Sequence, residues 1–530
     1  MTKQAPRNSE AQGGQSLGIA SAHGRNGLAP GQILPEVPGQ QEVRLTPGQR
    51  RAFDLLASIF RGEAPGARAV LTGYAGTGKT FLSARLIGLA LAIDGALGVR
   101  DAYGKWEQFP SVVIATPTHK AARQLERALA TYRLEQVKVA TLHSALGLRP
   151  VREEGVETFQ PDPRATPLIG EQTVLVVLDE TSMVSADLAA QLEQAMPPGA
   201  ALVAIGDPAQ LQPVDDSTPC PLLEAPIGAH LNEVVRHAGP ILELATATRK
   251  LGSGRPPFAT SKGASSMVVA HPDLGSWRRE TVRQVRIAAA NEAIDAVRVL
   301  SWTNAAAEKF NRLLHRALYG PDAPPWMTGQ PIVSSGVILG PDGAPLVGST
   351  CEMELLRVTP GEGALGGDEL QAVREVLLGK RKAKAGEPLP LWQWWAIEAR
   401  VSGGRGRRVA FQVIRQEQLL SWKKANNTIA ALAKAEKEAG NEAGAKELWG
   451  MHWSRKDAFA AISPVWAMTI HKAQGSTFEQ VFLHPDVDRN PDGAALNQLA
   501  YVGITRASKA LHVVADPPVP LAAADAVEAA

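Results

Sequence analysis

Short aliphatic and β-branched runs alternate with helical patterns along most of the chain: AVL at 69–71, SVVIA at 111–115, TVLVVL at 173–178 and ALVAI at 201–205. Runs with no polar face predict strands covered on both sides of a parallel sheet, each followed by a crossover. After Val112–Ala115, Thr118 is placed to cap a helix whose Ala122, Leu125 and Leu129 share one face. A second block of this kind begins at RVLSW (298–302), where Asn304 is expected to cap a helix carrying Phe310, Leu313, Leu314 and Ala317. It resumes at VWAMT (465–469) and closes with ALHVVA (510–515). The interval differs, because MELLRV, WWAIEARV and RRVAFQVI alternate like strands around the turn GGRGRR and are followed by an Ala/Lys/Glu-rich helical stretch at 427–449.

This pattern predicts an α/β protein of two parallel-sheet domains with a small, mostly β insertion in the second. The expected boundaries are 44–215 for the first domain, with a short hairpin insertion at 147–172, and 216–330 plus 464–516 for the second. The inserted subdomain is 331–463. Flexible tails are expected at 1–43, rich in Gly, Gln, Ser and Pro, and at 517–530. No repeat recurs at a solenoid period.

Composition narrows the class. With 530 residues, 45% hydrophobic and 20% charged, the bulk of the chain can bury cores. The formal charge of +2 excludes a polycation but leaves room for a local basic groove. Cys220 and Cys351 are too few for a disulfide framework or a four-ligand zinc site, which points to a reducing compartment. Neither a membrane-length apolar run nor a signal-peptide core is evident, so a soluble, intracellular protein without a membrane partner is expected.

The chemistry concentrates in GYAGTGKT, residues 73–80, between a strand and a helix. Gly73, Gly76 and Gly78 let the backbone through Tyr74, Ala75 and Thr77 turn its N–H groups inward around phosphate oxygens. Lys79 reaches the outer phosphates and the Thr80 hydroxyl ligates Mg2+. The strand at 173–178 delivers Asp179 and Glu180 at its carboxyl end. Asp179 would hold the magnesium ion through water, and Glu180 would take a proton from the water attacking the terminal phosphate. A DE pair alone is more often an ordinary strand-to-helix turn; the phosphate loop reverses that balance. A nucleoside triphosphatase results, and no guanine-reading NKxD signature is evident.

Further segments follow in a fixed order: LTPGQ (45–49), ATPTHKAA (115–122), TLHS (141–144), LDETSM (178–183), GDPAQLQPV (206–214), LNEVVRH (231–237), TIHKAQGSTF (469–478) and YVGITRA (501–507). With the phosphate loop, this set resembles the superfamily 1 DNA helicases, in the branch typified by the phage Dda and bacterial RecD helicases. The resemblance runs from about 44 to 515 and implies two RecA-like domains with an SH3-like insertion. It implies ATP and Mg2+ as cofactors, with Gln49 reading the adenine edge and Gln210 sensing the terminal phosphate. Arg236 and Arg506 are the implied arginine fingers from the second domain. Thr116, Pro117, Thr118, His143 and Ser144, with His471, Ser476 and Thr477, are the implied lining of the single-strand path. The 147–172 segment is expected to be a strand-separating hairpin with Phe159 near its tip. Residues 239–291 match nothing in the family pattern residue by residue.

The implied activity is ATP-dependent DNA unwinding, 5′ to 3′, in replication, recombination or repair. The expected partners are single-stranded DNA and forks, with possible replication or recombination proteins, and the expected state is monomeric, in a bacterial cell or phage-infected host. An RNA helicase of the same superfamily, a translocase without unwinding and a DNA-binding scaffold without turnover are the rival readings. Trp392, Trp394 and Trp395 fit the core of a small barrel better than a base platform.

Overall fold

The computed structural model describes residues 45–101, 105–153, 155–212, 219–234, 239–340, 345–363, 375, 391–402 and 406–515. The expected tails at 1–43 and 517–530 lie outside these residues.

The first sheet has six strands, all parallel, in the spatial order Ile227–Leu231, Arg68–Gly73, Ala201–Gly206, Leu175–Leu178, Val112–Thr116 and Ala140–Thr141. Its uninterrupted apolar runs are explained by burial on both faces. Leu71, Ile114, Val177 and Val203 point into one hydrophobic cluster, whereas Val70, Val113, Val176 and Leu202 point into another on the opposite side. The strand at 227–231 pairs with 68–73 through Ala69↔Ile227 and its successors. The expected division at 215/216 is thereby corrected: the first layer extends past it to Leu231. Polar His230 and Gly228 hide the strand character of IGAHL, and only the neighbouring strand's backbone makes it one.

The second sheet also has six strands, in the order Ser261–Lys262, Met267–His271, Ala507–Val514, Phe478–Leu483, Val297–Ser301 and Ala467–Thr469, parallel except for its two-residue edge. The previously unplaced 239–291 supplies the helix Pro240–Leu251, the strand Met267–His271 and the helix Leu274–Ala290. The helix after Val297–Ser301 is capped by Thr303, one residue before the expected Asn304, through an N–H bond from Ala306 at 3.2 Å.

In this lobe His512 stacks on Phe482 with centroids 4.1 Å apart, and its Nδ1 lies 3.1 Å from His271 Nε2. Burial, then His271, lowers its pKa to about 4. A folded pKa below the unfolded one means that the unfolded chain binds the extra proton. The stabilising contribution is therefore full above about pH 6.5 and is lost as pH falls toward 4, by roughly 3 kcal/mol. Thermal melts between pH 7 and 4.5 should show this loss, and His512→Phe should flatten that limb.

A third, five-stranded antiparallel sheet (Arg408–Ile414, Trp392–Val401, Glu352–Gly363, Pro331–Ser334, Ile462–Pro464) forms the insertion. Trp392 is buried edge-on against Trp422, 4.8 Å between centroids, in the core rather than on a ligand face. The single helical stretch expected at 427–449 is two helices, Gln416–Glu438 and Glu442–Asp457. Gly440, at φ +79°, turns the chain between them, and Asn441 caps the second by accepting from Gly444 N.

The hairpin is formed by Leu148–Glu153 and Val156–Pro161. Phe159 pairs with Pro150, three ladder positions from the turn, so the expectation that it sits near the tip is corrected. The tip belongs instead to Gly155, whose φ of +83° only glycine adopts freely, and a Cβ there would lie 2.8 Å from the ring of Trp449. Arg152 bonds Glu157 and Asp457 and lies 4.7 Å over Trp453. The hairpin is thus fastened to the helical pair of the insertion.

Candidate active site between the two lobes

Strand Arg68–Gly73 runs into a loop whose Gly76 and Gly78 have φ of +84° and +81°. A Cβ on Gly78 would fall 2.5 Å from Gln49 Nε2. The helix Lys79–Ala90 begins without any side-chain cap, so its first N–H groups are free for an anion. Lys79 Nζ donates to the carbonyls of Gly73 at 2.6 Å and Tyr74 at 3.2 Å, across the mouth of the loop. Thr77 is buried, its hydroxyl donating to Tyr74 O, and Thr80 is half-buried in the first helical turn. Gln49 closes a capping box with Thr46 and donates from Nε2 to Thr77 O at 3.0 Å. In this arrangement its amide braces the phosphate loop.

The neighbouring strands bring Asp207 and then Asp179 and Glu180 to the same carboxyl edge. Burial first, then the adjacent Glu180, pushes the Asp179 carboxyl well above the ordinary carboxylate range, against the pull of Lys79. Glu180 is held at φ +54°, uncommon for a residue with a side chain, and its N–H donates to Asp179 Oδ1 at 2.8 Å. Gln210 is 5% exposed, and its Oε1 has no hydrogen-bond partner among the described residues. The turn after Asp207 thus carries a buried amide whose oxygen is an unused acceptor.

The second lobe meets this edge at several points. Gly475, at φ +75°, brings its loop so close that a Cβ would lie 2.5 Å from Gln124 Oε1 and 3.9 Å from Glu180 Oε1. Gln474 donates to Leu211 O at 3.2 Å. From the helix Gly493–Ile504, the Tyr501 hydroxyl accepts from Ala75 N at 3.2 Å and donates to Asp207 Oδ2 at 3.1 Å. Arg249 lies over the ring of Tyr74, 3.1 Å from its centroid. Arg506 is buried, and donates to Val502 O, Ser476 O and Thr505 Oγ1. These bonds orient the guanidinium through backbone and hydroxyl acceptors of its own lobe and use three of its five N–H donors. Arg236 lies outside the described residues.

The expected strand-path residues are disposed unequally. Thr116 is fully buried and donates to Thr118 O at 3.0 Å, which corrects its assignment as a ligand-facing hydroxyl: it sets the loop from inside. Pro117 is half-buried, and Thr118 caps the helix His119–Ala130 by accepting from Ala121 N. Ser144 and Thr477 are exposed, Ser476 is buried and His471 is half-buried. His143 packs on Phe159 with centroids 4.0 Å apart. Burial, then the nearby His119, lowers the His143 pKa, and burial likewise lowers that of His471. Both imidazoles are accordingly neutral near pH 7 and present hydrogen bonds rather than charge. A cavity of about 210 Å³ lies alongside, walled by Lys120, Arg123 and Arg127 of the first lobe and by Ser476 and Thr477 of the second. Lys120 reaches across to Lys472 O at 2.6 Å, and burial lowers its pKa to about 8.

Sequence reasoning passed over Tyr501, Arg249, His119 and Asp207. Tyr501 and Asp207 lie in the same segments, YVGITRA and GDPAQLQPV, as the singled-out arginine and glutamine, and that proximity is the available signal. Arg249 carried no such mark.

Two family models match the chain: an AAA domain over residues 44–272 and a UvrD-like helicase C-terminal domain over 464–514. The ATP-dependent DNA helicase dda of Enterobacteria phage T4 is 24% identical over 87% of this chain and 97% of its own length. The RecBCD enzyme subunit RecD of Mycobacterium tuberculosis is 36% identical, but over 32% of this chain and 27% of that one. Among solved structures, Bacteroides Pif1 bound to ssDNA covers 92% of this chain and 97% of its own, at 15% identity and a TM-score of 0.44. Similarity along nearly the whole of the phage helicase, joined to family matches in both lobes, makes this chain a homologue of the Dda- and RecD-like DNA helicases.

Proposed function

We propose that this chain hydrolyses ATP to move along single-stranded DNA in the 5′ to 3′ direction and to separate the duplex ahead of it. The observation that carries this reading is the meeting of the phosphate loop and Asp207 of one lobe with Tyr501, which leads into Arg506, of the other. A nucleotide bound between the lobes draws them together, and loss of its outer phosphate lets them part. Glu180 takes the proton of the attacking water, Lys79 and Arg506 balance charge on the transferred phosphoryl oxygens, and Gln210 reports the terminal phosphate. Thr80 and Asp179 offer a hydroxyl and a carboxylate, the hard oxygen donors that suit Mg2+, and the magnesium ion when bound neutralises phosphate charge. Arg236 would add the second guanidinium.

His143, Ser144, His471 and Thr477 contact the strand's phosphates, and Phe159 beside His143 offers a stacking face. The insertion acts as an SH3-like brace for the hairpin. Asp457→Ala, which removes the ion pair between Arg152 and the helical pair, should lower strand displacement by about tenfold while leaving single-strand-stimulated ATP turnover within about twofold. A gel displacement assay paired with a coupled ATPase assay reads both.

The deciding experiment supplies ATP and magnesium with duplexes bearing either a 5′ or a 3′ overhang. Displacement only from the 5′ overhang is expected. ATPase stimulation by DNA without displacement would leave a translocase, and stimulation by RNA alone would indicate the RNA-acting alternative.

A further inference from the structure

Tyr501 is 3% exposed and belongs to the apolar cluster of the second lobe, yet its hydroxyl makes both of its hydrogen bonds to the first. Ala75 and Ala209 of the first lobe pack on that same cluster, and Leu211 is part of it, so the ring sits in a seam shared by the two lobes. One bond takes the N–H of Ala75, inside the phosphate loop. The other goes to Asp207, which is itself fully buried and uses Oδ1 to accept from Ala209 N, fixing the turn that carries Gln210. On the opposite side, Tyr501 is one turn of backbone from the guanidinium it would steer, because Arg506 Nε bonds Val502 O. Arg249 adds a second strut from the same lobe onto Tyr74, the residue before Ala75.

We propose that Tyr501 is a positioning residue for ATP hydrolysis: its hydroxyl registers the helix that leads into Arg506 against the phosphate loop and the Gln210 turn, so that these groups close on the nucleotide together. The inference rests on the function proposed above. A hydroxyl that only filled a core would find its partners in its own lobe. Here both partners lie in the other lobe, and both belong to segments that face the phosphates. Removing the hydroxyl while keeping the ring should leave packing and nucleotide binding in place and cost the transition state, where the arginine must be correctly seated.

The test is Tyr501→Phe alone and with Arg506→Ala, assayed with saturating single-stranded DNA. Radiolabelled ATP under single-turnover conditions keeps the slow variants measurable. Tyr501→Phe is expected to lower kcat about tenfold, with KM for ATP changed by less than about twofold and the melting temperature by no more than about 2 °C. In the Arg506→Ala background the same substitution should have almost no further effect, because the group it positions is gone. An unchanged kcat, an equal factor in both backgrounds, or a loss confined to melting temperature would overturn the proposal. If the unmodified chain shows no DNA-stimulated ATPase, the functional reading itself fails and takes this inference with it. Activity that responds to Arg506→Ala but not to Tyr501→Phe removes the inference alone.

Discussion

Lys79→Ala should lower DNA-stimulated ATP turnover by about three orders of magnitude and abolish strand displacement, with little loss of fold. The ammonium group spans the carbonyls of Gly73 and Tyr74 at the entrance of the loop, the place where the outer phosphates of a nucleotide must lie. Its two present bonds are to one buried and one half-buried residue's carbonyl, so their removal costs about 1–3 kcal/mol of stability and the melting temperature should shift by only a few degrees. The catalytic loss is far larger, because the positive charge acts on oxygens that gain charge during transfer. Steady-state ATPase with single-stranded DNA, alongside thermal melting, separates the two. A variant that retained stimulated turnover would sink the assignment of GYAGTGKT as the fuel site.

Arg506→Ala should lower kcat by a factor of about 10³ or more while changing ATP affinity much less. Unlike Lys79, this side chain is buried and satisfies the carbonyls of Val502 and Ser476. Its loss removes a donor from the Ser476 carbonyl, whereas Val502 O keeps the Thr505 hydroxyl, an additional destabilisation of about 1–3 kcal/mol that melting experiments should detect. The kinetic split is therefore the informative measurement. Equal loss in kcat and in nucleotide affinity would make Arg506 a binding contact, and a loss visible only in melting would make it a structural one.

Much of this was legible before the fold was known, for identifiable reasons. Strands buried on both faces carry their burial in composition, so Leu175–Leu178 and Ala201–Gly206 could be read directly. The phosphate loop is likewise local, because its glycines and lysine act through their own backbone. Ile227–Leu231 was missed since its strand state depends on a partner about 160 residues away. The break at Gly440 was hidden because an Ala/Lys/Glu-rich run favours helix on both sides of a turn set by one glycine. Phe159 was misplaced because hairpin register follows the turn, which lies at Gly155. Thr116 looked available because a motif gives residue type and not direction, and its hydroxyl turns inward. The seam that joins Tyr501 to Ala75 and Asp207 is a meeting of distant segments, and no spacing along the chain encodes it.

The fastening of the hairpin to the helical pair has a topological corollary. From the first lobe, through Arg152 and Gly155 to Asp457 and Trp449, and back by way of the third sheet and the second lobe, the protein forms a closed circuit. A strand that runs beneath those contacts would be able to leave only by a free terminus or through an opened clasp. Because the clasp includes an ion pair, salt loosens it. Dwell time on covalently circular strands should accordingly fall as ionic strength rises, independently of the fuel cycle.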